Sequence, residues 1–600
     1  MAQKIPASDP YYNLGPYTLT ISTSIPSAQI WFTRGLTWLY SFNHPEAARC
    51  FRQAILHNSS CAMAHWGLAY AVGPNYNKPW ERFDARDRAA SAKIGYEAAR
   101  QAKVAAEKSE IKVTAWERAV IDAMQSRFEH GRPPREPGVV NARYAGAMGK
   151  VYEVFRHDEN DAVALEVAVL YADALMNMTP WALWDLETGK AAKNAPTALV
   201  GSVLESALTL PGAIKHPGLL HLYIHYIEMS PTPEKGLKVA DQLRGLVPDA
   251  GHIHHMPTHL DILVGDWQRS IQSNLNATLA DERYISRCEA GRGEYNLYTF
   301  YRLHNYHSLI YAAMFAGQKK TALEAVGRME KSVHDWKAVL SISSPPMADW
   351  LENFLGTRVH ALIRFGLWDE LLELHLPAQE DRDLLCVTTA TTHYGRALAR
   401  AATGDVAAAR REKSHFETAT SRVPSSRRAY NSKALDILSV ASSMLSGEIA
   451  YREQNLDAAW KYLREAVALD DSLPYSEPWA WMQPARHAYA ALLLEQGYVR
   501  EAAVEYRADL GYDASLIRPR RHPKNVWALA GYHGCLRRVG KSESEEGRGV
   551  ERELEEALGT ADVRVAASCF CALDTVGGLN QRGQTCENTL EGCRDRDSRL

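Results

Sequence analysis

"RGLTWLYSFNHPEAARCFRQAI", residues 34–55, carries Gly35 and then Ala47, Phe51 and Ala54 at 12, 16 and 19 residues beyond it. The same intervals recur from Gly447 in "LSGEIAYREQNLDAAWKYLREA" (445–466), where they reach Ala459, Leu463 and Ala466. Small residues at such places let two antiparallel helices approach closely, and the large apolar residue fills the groove to the next pair. Two copies this far apart imply an array of helical hairpins.

Weaker hairpins read at "ALARAATGDVAAARREKSHF" (397–416) and "HAYAALLLEQGYVREAAVEYRADL" (487–510). Strand-like alternation is scarce, so the expected fold is all-α, a tetratricopeptide-like α-solenoid. Two stretches interrupt the helical pattern. "FEHGRPPREPG" (128–138) concentrates prolines, glycines and charges, and "SISSPPMADW" (341–350) breaks the chain near its middle. The expected organisation is an N-terminal extension over 1–20, a helical lobe over 21–340, a second repeat lobe over 341–570 and an unpacked polar tail over 571–600.

Bulk composition narrows the function. Six hundred residues with 46% apolar content are enough for a large core. The 68 basic and 71 acidic residues balance, leaving no electrostatic footprint for nucleic acid or an anionic membrane surface. No run of residues is long and apolar enough for a membrane helix, and the start "MAQKIPASDPYYN" lacks the apolar stretch of a signal peptide. Nine cysteines without a CxxC pair signal neither a disulfide framework nor a Cys-based zinc site. The expected location is the cytoplasm. The alternative is the peroxisome, through the terminal Ser598-Arg599-Leu600, an Arg-for-Lys version of the peroxisomal tripeptide.

Histidines are not spread evenly. Nine of the 22 fall between His216 and His307. Pro217 suits the first turn of a helix that runs through "GLLHLYIHYIE", with His216 at its cap. His221, His225 and Glu228 then share one face at i, i+4 and i+7. The order HxxxHxxE differs from the HExxH of zinc proteases, so no protease mechanism is carried over. In "GHIHHMPTHLDILVGDW", Pro257 separates His252 and His255 from His259, which belongs in the first turn of the next helix. His254 is out of step with these three. His304 and His307 form an i, i+3 pair on a third helix. A nitrogen-rich set of this kind suits a transition metal, copper, iron or zinc, better than magnesium or calcium. Eight candidate donors exceed the needs of one ion, so either two ions bind or several rings serve as outer hydrogen-bond donors and proton carriers. Glu228 is expected as a ligand or a general base, with His216 as a further catalytic group. Taken singly, each of these histidines reads as a hydrogen-bonded core residue sooner than as a ligand, and it is the three segments together that point to a metal. Around them, His65, Asp173, Trp181, Trp184, Tyr223 and Tyr226 are candidates to line a substrate pocket, or else packing residues.

The stretches "TSIPSAQIWFTRGLTWLYSFNHPEAARCFRQAI", "AHWGLAYAVGPNYN", "YADALMNMTPWALWD", "HPGLLHLYIHYIEMSPTPEKGLKVADQLRGLVPDAGHIHHMPTHL", "LHNYHSL" and "RHPKNVWALAGY" together resemble a widespread family of microbial tetratricopeptide-repeat proteins. The resemblance spans roughly residues 20–535. That family's elements HPG, HxxIHxxE, GHxxHMPxH and HNxH map onto His216, onto His221, His225 and Glu228, onto His252, His255 and His259, and onto His304 and His307. The resemblance implies a repeat fold and a common site, and leaves the reaction open.

Two function classes follow. One is a metal-dependent enzyme, an oxidoreductase of the kind that tailors small aromatic molecules in secondary metabolism, preferred over a hydrolase because the donor set has one obvious carboxylate and many imidazoles. The other is a scaffold that binds a partner peptide in the groove of the repeats.

Overall fold

The structure is a computed structural model that describes residues 3–109, 111–287 and 296–571. The terminal Ser598-Arg599-Leu600 and almost all of the polar tail lie outside the described residues. Apart from two strand pairs of two residues each and two isolated bridges, the regular structure of the described residues is helical. The all-α expectation holds, and consecutive helices stack as hairpins. No helix among the described residues is long and apolar enough to cross a membrane.

The repeat spacing translates directly into packing. Helices Pro26–Tyr40 and His44–His57 form the first hairpin, and Ala62–Val72 follows. A Cβ added to Gly35 would come 2.8 Å from the Phe51 ring, and one added to Gly67 would come 2.3 Å from the same ring. Phe51 is therefore clamped between glycines of two successive structural units, where any larger residue would force the helices apart. In the Ala434–Arg452 and Leu456–Ser472 hairpin, a Cβ on Gly447 would sit 2.7 Å from Leu463. The remaining pairs are Cys386–Ala402 with Val406–Thr420 and Ala485–Glu495 with Val499–Leu510. Asn43, Asp405 and Asn455 each accept a backbone N–H at the start of the second helix of their hairpins, supplying an otherwise missing partner.

Apolar side chains gather in two cores, one drawn from residues between Leu19 and Tyr301, the other from residues between Met229 and Cys571. Helix Tyr298–Phe315 contributes to both. The N-terminal extension is bound down: Asn13 N–H donates to Asp249 at 2.7 Å, and the Tyr17 hydroxyl donates to Glu166.

Replacing Phe51 with alanine should cost about 3–5 kcal/mol, because glycine neighbours have no side chains with which to fill the void. Urea unfolding followed by circular dichroism checks this. An unchanged midpoint would show that the clamp does not hold the first repeats together.

Candidate metal centre

Four short segments bring the imidazoles together. Helix Pro217–Ile227 starts at Pro217 as its sequence suggests, and His216 caps it, its Nδ1 accepting the Leu219 N–H at 3.2 Å. His221 and His225 lie one turn apart on its inner face, and Glu228 follows the last turn. Pro257 divides the next segment into helices Gly251–His255 and Thr258–Val264, so that His259 sits in the first turn of the second. Helix Tyr298–Phe315 supplies His304. These elements are tied together behind the site by Asp281, whose carboxylate accepts from the Tyr298 hydroxyl and from Asn305 Nδ2, each at 2.7 Å. Gly251 lies so near Asp281 that a Cβ would come 2.2 Å from its oxygen.

Two main groups of donors result, and Glu228 with His225 and His259 makes a third that overlaps both. In the first, Nε2 atoms of His255, His259 and His304 and Oε2 of Glu477 face one another. His255 Nε2 is 2.9 Å from His259 Nε2 and 2.9 Å from His304 Nε2. Glu477 Oε2 is 3.2, 3.0 and 3.6 Å from the three nitrogens. A tetrahedron with vertices about 2.0 Å from its centre has edges of about 3.3 Å, so these spacings fit an ion of ordinary bond length. The opposite ring nitrogens are engaged as such a site requires. His255 Nδ1 donates to Asn274 Oδ1 at 2.8 Å, His259 Nδ1 donates to Glu228 Oε2, and His304 Nδ1 meets the Tyr430 hydroxyl at 3.1 Å. In the tautomer with the proton on Nδ1 the Nε2 lone pair is free, and three such nitrogens could face an ion together.

The second group is His221, His225 and His252, all buried. His221 Nδ1 donates to the Tyr40 carbonyl at 2.6 Å and His225 Nδ1 to Glu228 Oε1 at 2.8 Å. Their Nε2 atoms and both nitrogens of His252 are buried without a hydrogen-bond partner. Phe42, at a positive φ of 54° in the turn of the first hairpin, covers all three rings, its centroid 4.3 Å from that of His221.

Glu228 joins the two groups. One oxygen faces His225, while the other faces His259 and also accepts from the Tyr475 hydroxyl at 3.0 Å. Burial alone would raise its pKa, but the neighbouring His259 and the two histidine hydrogen bonds outweigh burial and hold it at about 2. His221, His252 and His304 are pushed well below the usual imidazole range, first by burial and then by neighbouring imidazoles, and so stay neutral as ligands must. Burial also disfavours charge on His259, yet Glu477 and Glu228 on either side raise its pKa to about 10. With protein groups alone, the cation inside the first group is this proton.

Several sequence-predicted residues lie elsewhere. His216 spends its second nitrogen on Glu166, at 3.2 Å, and is a structural cap, not a group with a free nitrogen. His307 is outside both groups and meets the Tyr430 hydroxyl at 2.9 Å, so it connects to His304 only through that tyrosine. Glu228 lies against His225 and His259 through its two carboxylate oxygens, and the three residues form a further set with donor atoms close enough to hold an ion, a placement compatible with the ligand role its spacing suggests. His65 bonds to the Ser59 carbonyl at 2.9 Å, away from the site. Asp173 accepts from the Tyr70 hydroxyl. Trp184 donates to the Tyr226 carbonyl at 2.6 Å, and its ring and that of Tyr223 pack against the Tyr226 ring. Of the proposed pocket aromatics only Trp181 lines the cavity beside the metal groups, a space of about 150 Å³ that His252, His259, His304 and Glu477 also line. His254 bonds to the Pro248 carbonyl at 3.0 Å and faces away, as its spacing implies.

Glu477, Tyr430 and Tyr475 were not legible as site residues. Glu477 stands in "LPYSEPWAW" (473–481), a loop whose two prolines and two tryptophans mark it as unusual, but a lone carboxylate has no periodicity to betray it. Its presence revises the premise of a single carboxylate: two acidic groups serve the site.

No family model matches the chain, and none of the curated proteins matches it. Among solved structures, one described as "Circular tandem repeat protein with novel repeat topology and enhanced subunit contact surfaces" is similar at 10% identity over 89% of each chain, with a TM-score of 0.12. A superposition that poor carries no argument about this chain.

Glu228→Gln should weaken binding of metal by about 10–100-fold, because it replaces one of the two acceptor oxygens that face His225 and His259 with an NH2 donor and removes the charge. Competition with a chromophoric chelator measures this. Wild-type affinity in the variant would show that Glu228 does not orient the ligands.

Proposed function

We propose that the protein is a metal-dependent enzyme acting on a small organic molecule in the cavity lined by His252, His259, His304 and Glu477. One observation carries the reading: three Nε2 atoms and a carboxylate oxygen lie within 4.8 Å of one another, five of their separations between 2.9 and 3.6 Å, with each opposite nitrogen hydrogen-bonded. The cluster calls for a cation at this point: with protein groups alone the His259 proton fills that place, and a bound ion would displace it.

The first group, three nitrogens and one oxygen, fits zinc, iron or copper. The second offers imidazole nitrogens only, a set that favours copper among the divalent ions. Iron or copper held there would supply redox or oxygen chemistry, the reaction class we favour, whereas zinc, which has no redox chemistry, would serve hydrolysis. Within this reading the chain's own groups have clear tasks. Glu228 keeps His225 and His259 in the ligating tautomer, Tyr430 connects His304 to His307, and Phe42 shields the second group from water. The resemblance to microbial tetratricopeptide-repeat proteins belongs to this proposal too, since the helical hairpins agree with it and no family model does.

Protein purified without a chelating resin or affinity tag should contain one to two equivalents of transition metal by elemental analysis. His255→Ala/His304→Ala should empty the first group and His221→Ala/His225→Ala the second, each lowering the metal content. Chelation should lower the melting temperature, since an ion that binds only the folded chain stabilises it by about 4 kcal/mol at a thousandfold excess over Kd. Metal-free wild type whose melting is indifferent to added copper, iron and zinc would leave the repeat scaffold as the better reading.

A further inference from the structure

The cavity beside the metal groups is also lined by three cationic side chains, Lys78, Arg82 and Arg428. Lys78 is satisfied: it pairs with Asp87 and stands 3.8 Å over the Phe83 ring. Arg82 and Arg428 form no ion pair among the described residues. Both instead lean on Asn431, Arg82 donating from Nη2 to its side-chain oxygen at 3.0 Å and Arg428 from Nη1 to its carbonyl at 3.3 Å.

The backbone brings them there. Arg428 lies in a two-residue strand paired with Ser432–Lys433, and the turn between passes through Tyr430 at a φ of 54°, which sets Tyr430 and Asn431 beside the cavity. Arg82 ends the 3-10 turn Trp80–Arg82. The two guanidiniums are close enough that, after burial, the charge of Arg428 is what pushes the Arg82 pKa down. Like charges in a half-buried recess oppose folding unless an anion joins them, and each guanidinium keeps free N–H groups in the fork that matches a carboxylate or phosphate. Trp181, Phe300, Tyr301 and Trp350 add ring surfaces to the same cavity. Its volume, about 150 Å³, is that of a cavity which admits a ring of about benzene size.

We propose that Arg82 and Arg428 bind the acidic group of the substrate, which is a small ring-bearing organic anion, a carboxylate or a phosphate, held between this arginine pair and the metal groups. This rests on the reading of the cavity as the substrate site. The arginines position the substrate and leave the metal ligands untouched. Asn431 holds the two guanidiniums at their spacing in the absence of the anion.

Full-length, metal-loaded protein titrated with benzoate, phenyl phosphate and the neutral benzyl alcohol in a calorimeter tests the proposal. At least one of the two anions should bind more tightly than benzyl alcohol and lose affinity as salt rises, the tighter of the two identifying the acidic group. Arg82→Gln/Arg428→Gln should weaken that anion about tenfold or more, as expected for charged hydrogen bonds, with metal content unchanged and the melting temperature of the anion-free protein no lower than wild type. Arg82→Lys/Arg428→Lys should fall between, keeping charge but losing the fork. Anions that bind the double glutamine variant as they bind wild type, or wild type that prefers benzyl alcohol, would overturn it. Repeating the titration after chelation separates the two readings: arginine-dependent anion binding by a chain that carries no metal as purified supports the anion site and refutes only the metal centre.

Discussion

Imidazole lone pairs aimed at one point inside a protein repel one another unless a cation sits among them. Every feature of the site answers that constraint. His255, His259 and His304 present Nε2 to a common space because Asn274, Glu228 and Tyr430 occupy their Nδ1 atoms, and Glu477 closes the fourth side with a negative charge. Burial keeps the outlying rings neutral, and the low dielectric that makes a charged imidazole costly also makes a paired one strong. Glu228 is central because it serves two groups at once. Its carboxylate is the one covalent unit that touches the outer nitrogens of both His225 and His259.

The helical hairpins explain how ligands so far apart in the chain meet. Close helix approach depends on absent side chains, as at Gly35 and Gly67 around Phe51, and the turn that follows the first of these helices delivers Phe42 and the Tyr40 carbonyl to the second donor group. The same economy appears at Gly251, where the short histidine-bearing helix is drawn against Asp281 because no Cβ intervenes. Packing and site are thus one construction. The repeat spacing sets helix distance, and helix distance sets where the rings point.

Beside the two donor groups the cavity changes character, from imidazole and carboxylate to guanidinium and aromatic ring. Arg82 and Arg428 come from segments 346 positions apart and share Asn431. Under the proposed function, such a wall suits a ligand with one acidic end and an apolar body.

The hairpin repeats were legible because they are local: Gly35 to Ala54 and Gly447 to Ala466 each lie within one supersecondary unit, so spacing alone predicts contact. The same holds for His221 and His225 one turn apart, and for Pro257, which ends one helix and opens another wherever the fold places it. Glu228 belongs with them, for its spacing puts it on the face of His221 and His225, and its oxygens reach His225 on its own helix and His259 on the next. His307 shows the limit of that reasoning, since i, i+3 spacing brings a residue to the same side of a helix without saying which of the two reaches the centre. Glu477, Tyr430 and the arginine pair were decided by tertiary structure alone. They arrive on loops and a hairpin turn, where no helical period records direction, and they reach the site across sequence separations that only the stacking of the repeats determines.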